Sequence, residues 1–83
     1  MRNSFALLAA LEKIRNLRQP RGYPGFHSAA ALVCAGNGDL FAGCFYAIAL
    51  MEQRHGGNRS IEELLDFAIE SLTECCASKC DFA

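Results

Sequence analysis

The sequence contains few of the residues that favour β-sheets. Only six of its 83 residues are β-branched, namely Ile14, Val33, Ile48, Ile61, Ile69 and Thr73. Sheets favour β-branched and aromatic side chains because these fit a pleated, half-buried surface. The thirteen alanines and ten leucines instead favour helices, in which they lose little side-chain freedom. The composition therefore predicts an all-α fold, and the length predicts one domain, residues 1–83.

Long apolar runs and a large net charge are also absent. No apolar stretch approaches the ~20 residues of a membrane-spanning helix, so no membrane partner is expected. Residues 5–11 are apolar, but no small-residue cleavage site follows them, which favours a mature cytoplasmic chain. The net charge of −1 argues against bulk nucleic-acid binding. No catalytic motif is present, so we expect a protein that is not an enzyme.

Apolar side chains at helical spacing predict four helices, over residues 4–19, 26–35, 40–54 and 60–77. Ser4 and Asp39 are the expected N-caps of the first and third helices. Ser60 and Glu63 match the Ser-x-x-Glu pattern of a capping box at the start of the fourth. The predicted fold is a small helical bundle of three long helices plus one short helix. The first and last helices are expected to flank the third.

Residues 30–44 have an alternative interpretation as a β-hairpin. Asn37-Gly38 is the strongest short-range hairpin signal, and it would join strands at 30–35 and 40–44 in an α+β fold. Neither flank alternates polar with apolar residues, and Val33 is the only β-branched residue in the segment. The helical interpretation is therefore favoured.

Acidic residues form a row on the last predicted helix. Glu62, Asp66, Glu70 and Glu74 recur every four residues and so share one face. The net charge is +4 over residues 1–28, 0 over 29–59 and −5 over 60–83, so the charges are segregated along the chain. A solvated face is one interpretation of the row. Another is a docking face for a basic surface, supplied either by Arg15 and Arg18 of the same fold or by another protein. A cation site is the least favoured, because hard cations need a loop that wraps them.

Basic residues gather at the end of the first predicted helix. The group comprises Lys13, Arg15, Arg18 and Arg21, with Tyr23 close behind. Arginine beside an aromatic ring is a common arrangement in proteins that contact phosphates. The acidic C-terminal helix would repel a long polyanion, so a nucleic-acid-associated protein is the weakest of the functional hypotheses.

Three cysteines, Cys75, Cys76 and Cys80, lie close together near the C-terminus. Structural zinc sites combine two Cys-x-x-Cys pairs, or one cysteine pair with a histidine pair. The sequence has neither pattern, so we expect no metal or other cofactor. A metal- or redox-responsive role for these three cysteines is the alternative function. Cys34 and Cys44 lie in apolar stretches and are expected to be small core residues.

The most apolar segment is 40–51, in which every residue except Gly43 is apolar or aromatic. A helix that is apolar on all sides is buried on all sides. In a domain of this size, the other helices, a second copy of the chain or another protein must cover it. Phe41 and Phe45 are the residues expected to contact such a partner.

These observations predict a non-enzymatic protein-binding module. We expect a small stoichiometric regulator or inhibitor of a protein of unknown identity, of the kind that a phage or plasmid encodes. It would dock through the acidic helix face and the apolar third helix. The alternative is a homodimer in which the third helix of each chain forms the interface.

Overall fold

A computed structural model describes residues 3–20 and 22–78. Within these ranges the chain forms four helices joined by short connections. They are α1 (Ser4–Arg18), α2 (Phe26–Cys34), α3 (Gly38–His55) and α4 (Ile61–Ser78). The described residues contain no strand, so the prediction of an all-α fold is confirmed. None of these helices is both long and apolar enough to cross a membrane.

Two of the expected N-caps are wrong, each because a neighbouring asparagine caps the helix instead. Asn3, and not Ser4, caps α1, since its Oδ1 accepts a hydrogen bond of 3.0 Å from the backbone N–H of Ala6. Asn37, and not Asp39, caps α3, since its Oδ1 accepts from the N–H of Leu40 at 3.1 Å. A short amide side chain satisfies one of the unpaired donors of the first helical turn.

The hairpin alternative for residues 30–44 is also wrong, because this segment belongs to α2, a turn and α3. Ala35 and Gly36 follow α2 with φ angles of 50° and 85°, both in the left-handed region. The N–H of Ala35 donates to the carbonyl of Ala31 at 3.1 Å, which closes the last turn of α2. Asn37-Gly38 therefore starts a helix here, and its hairpin signal is overridden by the cap that Asn37 provides.

The capping box expected at the fourth helix is confirmed. The N–H of Glu63 donates to Ser60 Oγ at 3.2 Å, and the N–H of Ser60 donates back to Glu63 Oε1 at 3.1 Å. This backbone hydrogen bond holds the pKa of the Glu63 carboxyl below its usual value. Both partners lie within three residues of each other, so the sequence pattern alone specifies the start of α4.

The four helices share one hydrophobic core. Helices α1 and α3 contact each other and both of the remaining helices, while α2 and α4 lie mainly apart. Leu7, Leu11 and Ile14 of α1 are buried together with Leu65 and Leu72 of α4. Both α1 and α4 contact α3, and α1 also contacts α2 and α4.

Candidate functional site

One side of α3 is buried and the other is left uncovered. The buried side consists of Gly43, Cys44, Ala47, Ile48 and Met51. On the other side Ala42, Tyr46 and Ala49 are exposed, and Phe41 and Phe45 are half-buried along one edge. These last five residues recur at helical spacing and form one surface, called the α3 outer face below. Because no charged residue lies between Leu40 and Met51, this surface is apolar apart from the Tyr46 hydroxyl.

Aromatic contacts with α2 fix one edge of the α3 outer face. The ring of Phe45 lies 4.9 Å from that of Phe26 and 5.0 Å from that of Phe41, measured between centroids. The exposed His27 packs against both α3 rings, at 5.3 Å from Phe41 and 5.8 Å from Phe45. Edge-to-face and tilted ring pairs of this kind are favourable beyond the apolar area that they bury. The two phenylalanines are therefore held in place by contacts within the fold.

Tyr46 is the large side chain at the middle of the α3 outer face, and 47% of its surface is exposed. Its neighbours Ala42 and Ala49 lie one turn away on either side and are small. The Tyr46 ring therefore projects from the helix, and the helix surface at the two alanines beside it is accessible. Of the three possible covers for the third helix, its own fold therefore supplies the cover for one side.

Ion pairs within the fold engage the first two residues of the acidic row on α4. Arg18 Nη2 donates to Glu62 Oε2 at 2.8 Å, and Arg15 Nη1 lies 3.4 Å from Asp66 Oδ1. The Arg18 hydrogen bond holds the pKa of the Glu62 carboxyl below its usual value. Glu70 and Glu74 are exposed and have no ion pair within residues 3–20 and 22–78. The basic surface that faces the first half of the row therefore belongs to α1 of the same chain.

Arg18 is the buried member of the expected basic group. Besides Glu62, its guanidinium donates through Nη1 to the carbonyl of Pro24 at 2.9 Å and lies 4.8 Å from the centre of the Tyr23 ring. It joins the end of α1 to the α1–α2 loop and to the start of α4. Arg15 is likewise occupied by Asp66, which leaves two of the four basic residues engaged inside the fold. Lys13 is exposed, and Arg21 lies outside the described residues.

No family model, no curated protein and no solved structure matches this chain.

The cysteines that sequence analysis grouped are placed only in part. Cys75 is buried on α4 and Cys76 beside it is half-buried, whereas Cys80 lies outside the described residues. Within the part of the chain that the structure describes, no three His, Cys, Asp or Glu side chains are close enough to hold a metal ion. His55 is instead stacked on Phe67, with the ring centroids 3.9 Å apart.

Two features of the structure were not expected from the sequence. The Sγ atoms of Cys34 and Cys44 are 4.0 Å apart in the core, although ten residues separate them in the chain. Arg59, in the α3–α4 connection, contacts both helices. Its Nε donates to the carbonyl of His55 on α3 at 3.3 Å, and its guanidinium lies 5.6 Å from the ring of Phe67 on α4. Neither spacing matches a recognised motif, so no sequence signal indicates these contacts.

Proposed function

We propose that this protein is a small non-enzymatic protein-binding module that docks through the α3 outer face. The single observation that supports this most is the apolar surface of Phe41, Ala42, Phe45, Tyr46 and Ala49 on a helix that its own fold covers on one side only. Removing apolar surface from water is the main favourable term in protein association. Aromatic side chains are enriched at the centres of protein interfaces. The biological role that follows is that of a stoichiometric regulator or inhibitor of the protein it binds.

The partner is expected to present an apolar groove that accepts the Tyr46 ring. The ring contacts of Phe41 and Phe45 with Phe26 and His27 limit the motion of the surrounding side chains. A surface that is ordered before binding loses little side-chain entropy on docking. This preorganisation favours a defined complex over non-specific association.

The acidic helix face contributes less to docking than its four carboxylates suggest. Glu62 and Asp66 are already paired with Arg18 and Arg15, so a basic partner would have to displace contacts within the fold. Glu70 and Glu74 are the two members of the row that are exposed and have no ion pair among the described residues. Exposed charges at an interface rim act mainly on the association rate and on salt dependence. We therefore assign Glu70 and Glu74 a steering role toward a basic region of the partner.

The first experiment is an affinity purification of the tagged chain from its native host, followed by titration calorimetry with each purified protein that it recovers. Tyr46→Lys places a charge in the middle of the α3 outer face. Loss of an interface hot spot weakens binding by about 30-fold or more. Asn16→Lys introduces the same charge at an exposed position on α1 and is the matched control, expected to bind like the native chain.

The double variant Glu70→Lys/Glu74→Lys tests the steering role separately. We expect a slower association rate and a weaker dependence on salt, while the far-UV circular dichroism spectrum stays native. A recovered partner that binds the Tyr46→Lys variant as tightly as the native chain would refute docking through this face. Recovery of the chain alone, with a dimeric mass by light scattering that Tyr46→Lys reduces to a monomer, would replace the partner with a second copy.

A further inference from the structure

The buried pair Cys34 and Cys44 is the cluster of reactive side chains that the proposed function does not use. Cys34 is the last residue of α2, and Cys44 lies on the buried side of α3. Their sulfur atoms are in contact at 4.0 Å, and both residues are almost completely buried. The sulfur atoms of a disulfide are about 2.05 Å apart, so bond formation brings them closer by roughly 2 Å.

The chain around Cys34 has room to make that movement. Cys34 is followed directly by Ala35 and Gly36, whose left-handed backbone ends α2. A Cβ added at Gly36 would meet nothing within 4 Å, so this turn is open to solvent and not packed against another element. The turn that follows Cys34 therefore has space in which to adjust when the last turn of α2 shifts.

We propose that Cys34 and Cys44 form an intramolecular disulfide that joins α2 to α3 when the chain meets a small-molecule disulfide such as oxidised glutathione. In the first step the thiolate of one cysteine attacks the reagent, forms a mixed disulfide and expels one reagent thiolate. In the second step the other cysteine attacks the protein sulfur of that mixed disulfide and expels the second reagent thiolate. The two protein thiols lose two protons and two electrons, and the reagent is reduced to two thiols.

The reaction begins from a locally opened form of the protein. Burial, together with the neighbouring Cys34, raises the pKa of the Cys44 thiol to about 12, so the closed form offers very little thiolate. Helix α2 is only nine residues long, and it starts after Gly25, which has no side chain to cap it. Short helices at the edge of a core open at lower free energy than the whole fold. Once the mixed disulfide has formed, refolding of α2 brings the second sulfur back into contact.

The test measures the thiol–disulfide equilibrium of the native, full-length chain in glutathione buffers of graded redox ratio. After acid quenching and alkylation, trypsin releases residues 22–54 as one peptide that contains Cys34 and Cys44 and no other cysteine. Formation of the bond makes this peptide lighter by two hydrogen atoms and blocks its alkylation. The same measurement in urea gives the equilibrium for a chain in which the fold no longer holds the sulfurs together.

We expect the equilibrium constant for the bond to be at least about tenfold larger in buffer than in urea, because the fold raises the effective concentration of one thiol near the other. Cys76→Ser should leave the equilibrium of peptide 22–54 unchanged. An equal or smaller constant in buffer would overturn the proposal, because the fold would then oppose the bond. Linkage of peptide 22–54 to a peptide containing Cys75, Cys76 or Cys80, or to a second chain, would overturn it as well.

Discussion

Arg18 shows how one buried charge organises the end of the bundle. Its guanidinium contacts the Pro24 carbonyl, the Glu62 carboxylate and the Tyr23 ring, and so connects three segments of the chain. A guanidinium suits this position because its planar set of donors serves two acceptors and its face stacks on an aromatic ring. Arg15 makes a longer and more exposed pair with Asp66, which contributes much less.

Replacement of these two arginines should therefore have unequal effects. Arg18→Ala removes charge-assisted hydrogen bonds from a buried position and is expected to lower the free energy of unfolding by about 2 kcal/mol. Arg15→Ala, the matched control, is expected to cost less than about 1 kcal/mol. Urea unfolding followed by circular dichroism measures both values. Equal losses in the two variants would contradict the central role given to Arg18.

Glu62 makes the stability of the fold dependent on acid. Its pKa is lower in the folded chain than the ordinary value of 4.5, because Arg18 donates a hydrogen bond to the ionised carboxylate. The unfolded chain therefore binds more protons between these two pKa values, and stability is lost as the pH falls from about 4.5 through the folded value. The contribution is fully present above that window.

Glu62→Gln should flatten this acid dependence. We expect the variant to lose less stability than the native chain when urea unfolding is compared at about pH 6 and at about pH 3. Glu70→Gln is the control and should keep the native slope, because Glu70 has no ion pair in the described part of the chain. An unchanged slope in the Glu62 variant would mean that the Arg18 contact does not favour the charged form.

At the scale of the helices, α2 ends in an unfavourable local conformation. Ala35 adopts φ 50° and ψ 46°, a left-handed conformation that crowds the Cβ of any residue other than glycine. Glycine is the usual residue at this position after a helix, and here the glycine comes one residue later, at Gly36. The sequence therefore places the glycine one position after Ala35, the left-handed residue that follows α2.

Ala35→Gly should consequently stabilise the protein. Relief of the left-handed strain exceeds the extra entropy that glycine gives the unfolded chain, and the expected net gain is up to about 1 kcal/mol. Ala31→Gly is the matched control, because the same substitution in the exposed helical interior is expected to cost about 1 kcal/mol. The midpoints of thermal unfolding compare the two variants, and a loss of stability in both would refute the account of Ala35.

At the scale of the whole molecule, α1 supplies the side chains on which the other helices meet. It contacts α2, α3 and α4, and Leu11 at its centre is completely buried. A chain of 83 residues has a small core, so each large buried side chain contributes a substantial share of the total stability.

Leu11→Ala should therefore come close to unfolding the protein, with an expected cost of about 2–5 kcal/mol against a typical total of about 5–15 kcal/mol. Leu32→Ala makes the same change on α2 at a side chain that is 67% exposed, and its effect should lie within about 0.5 kcal/mol. Chemical unfolding and hydrogen exchange measure the change in the free energy of unfolding of both variants. A mild effect of Leu11→Ala would show that the core does not depend on α1.

Local patterns account for the parts of this protein that were predicted correctly. The start of α4 depends on Ser60 and Glu63, which are three residues apart. The ranges of all four helices follow from the spacing of apolar residues along each helix. The errors at Ser4 and Asp39 have the same local origin, because an asparagine within two residues competes for each capping position. Phe41 and Phe45 lie in the apolar segment 40–51, and their contact with a partner stays a prediction.

Contacts between distant residues were decided by the packing of the helices. The sequence leaves open whether Arg15 and Arg18 or another protein face the acidic row. The pairing of Arg18 with Glu62, which spans 44 residues, decides this for the start of the row. The contact of Cys34 with Cys44 and the exposure of Tyr46 depend in the same way on where α2 and α3 cross. The sequence determined the helices because hydrogen bonds and caps act within about four residues. The tertiary structure alone decided which faces are buried, because burial depends on how whole helices fit together.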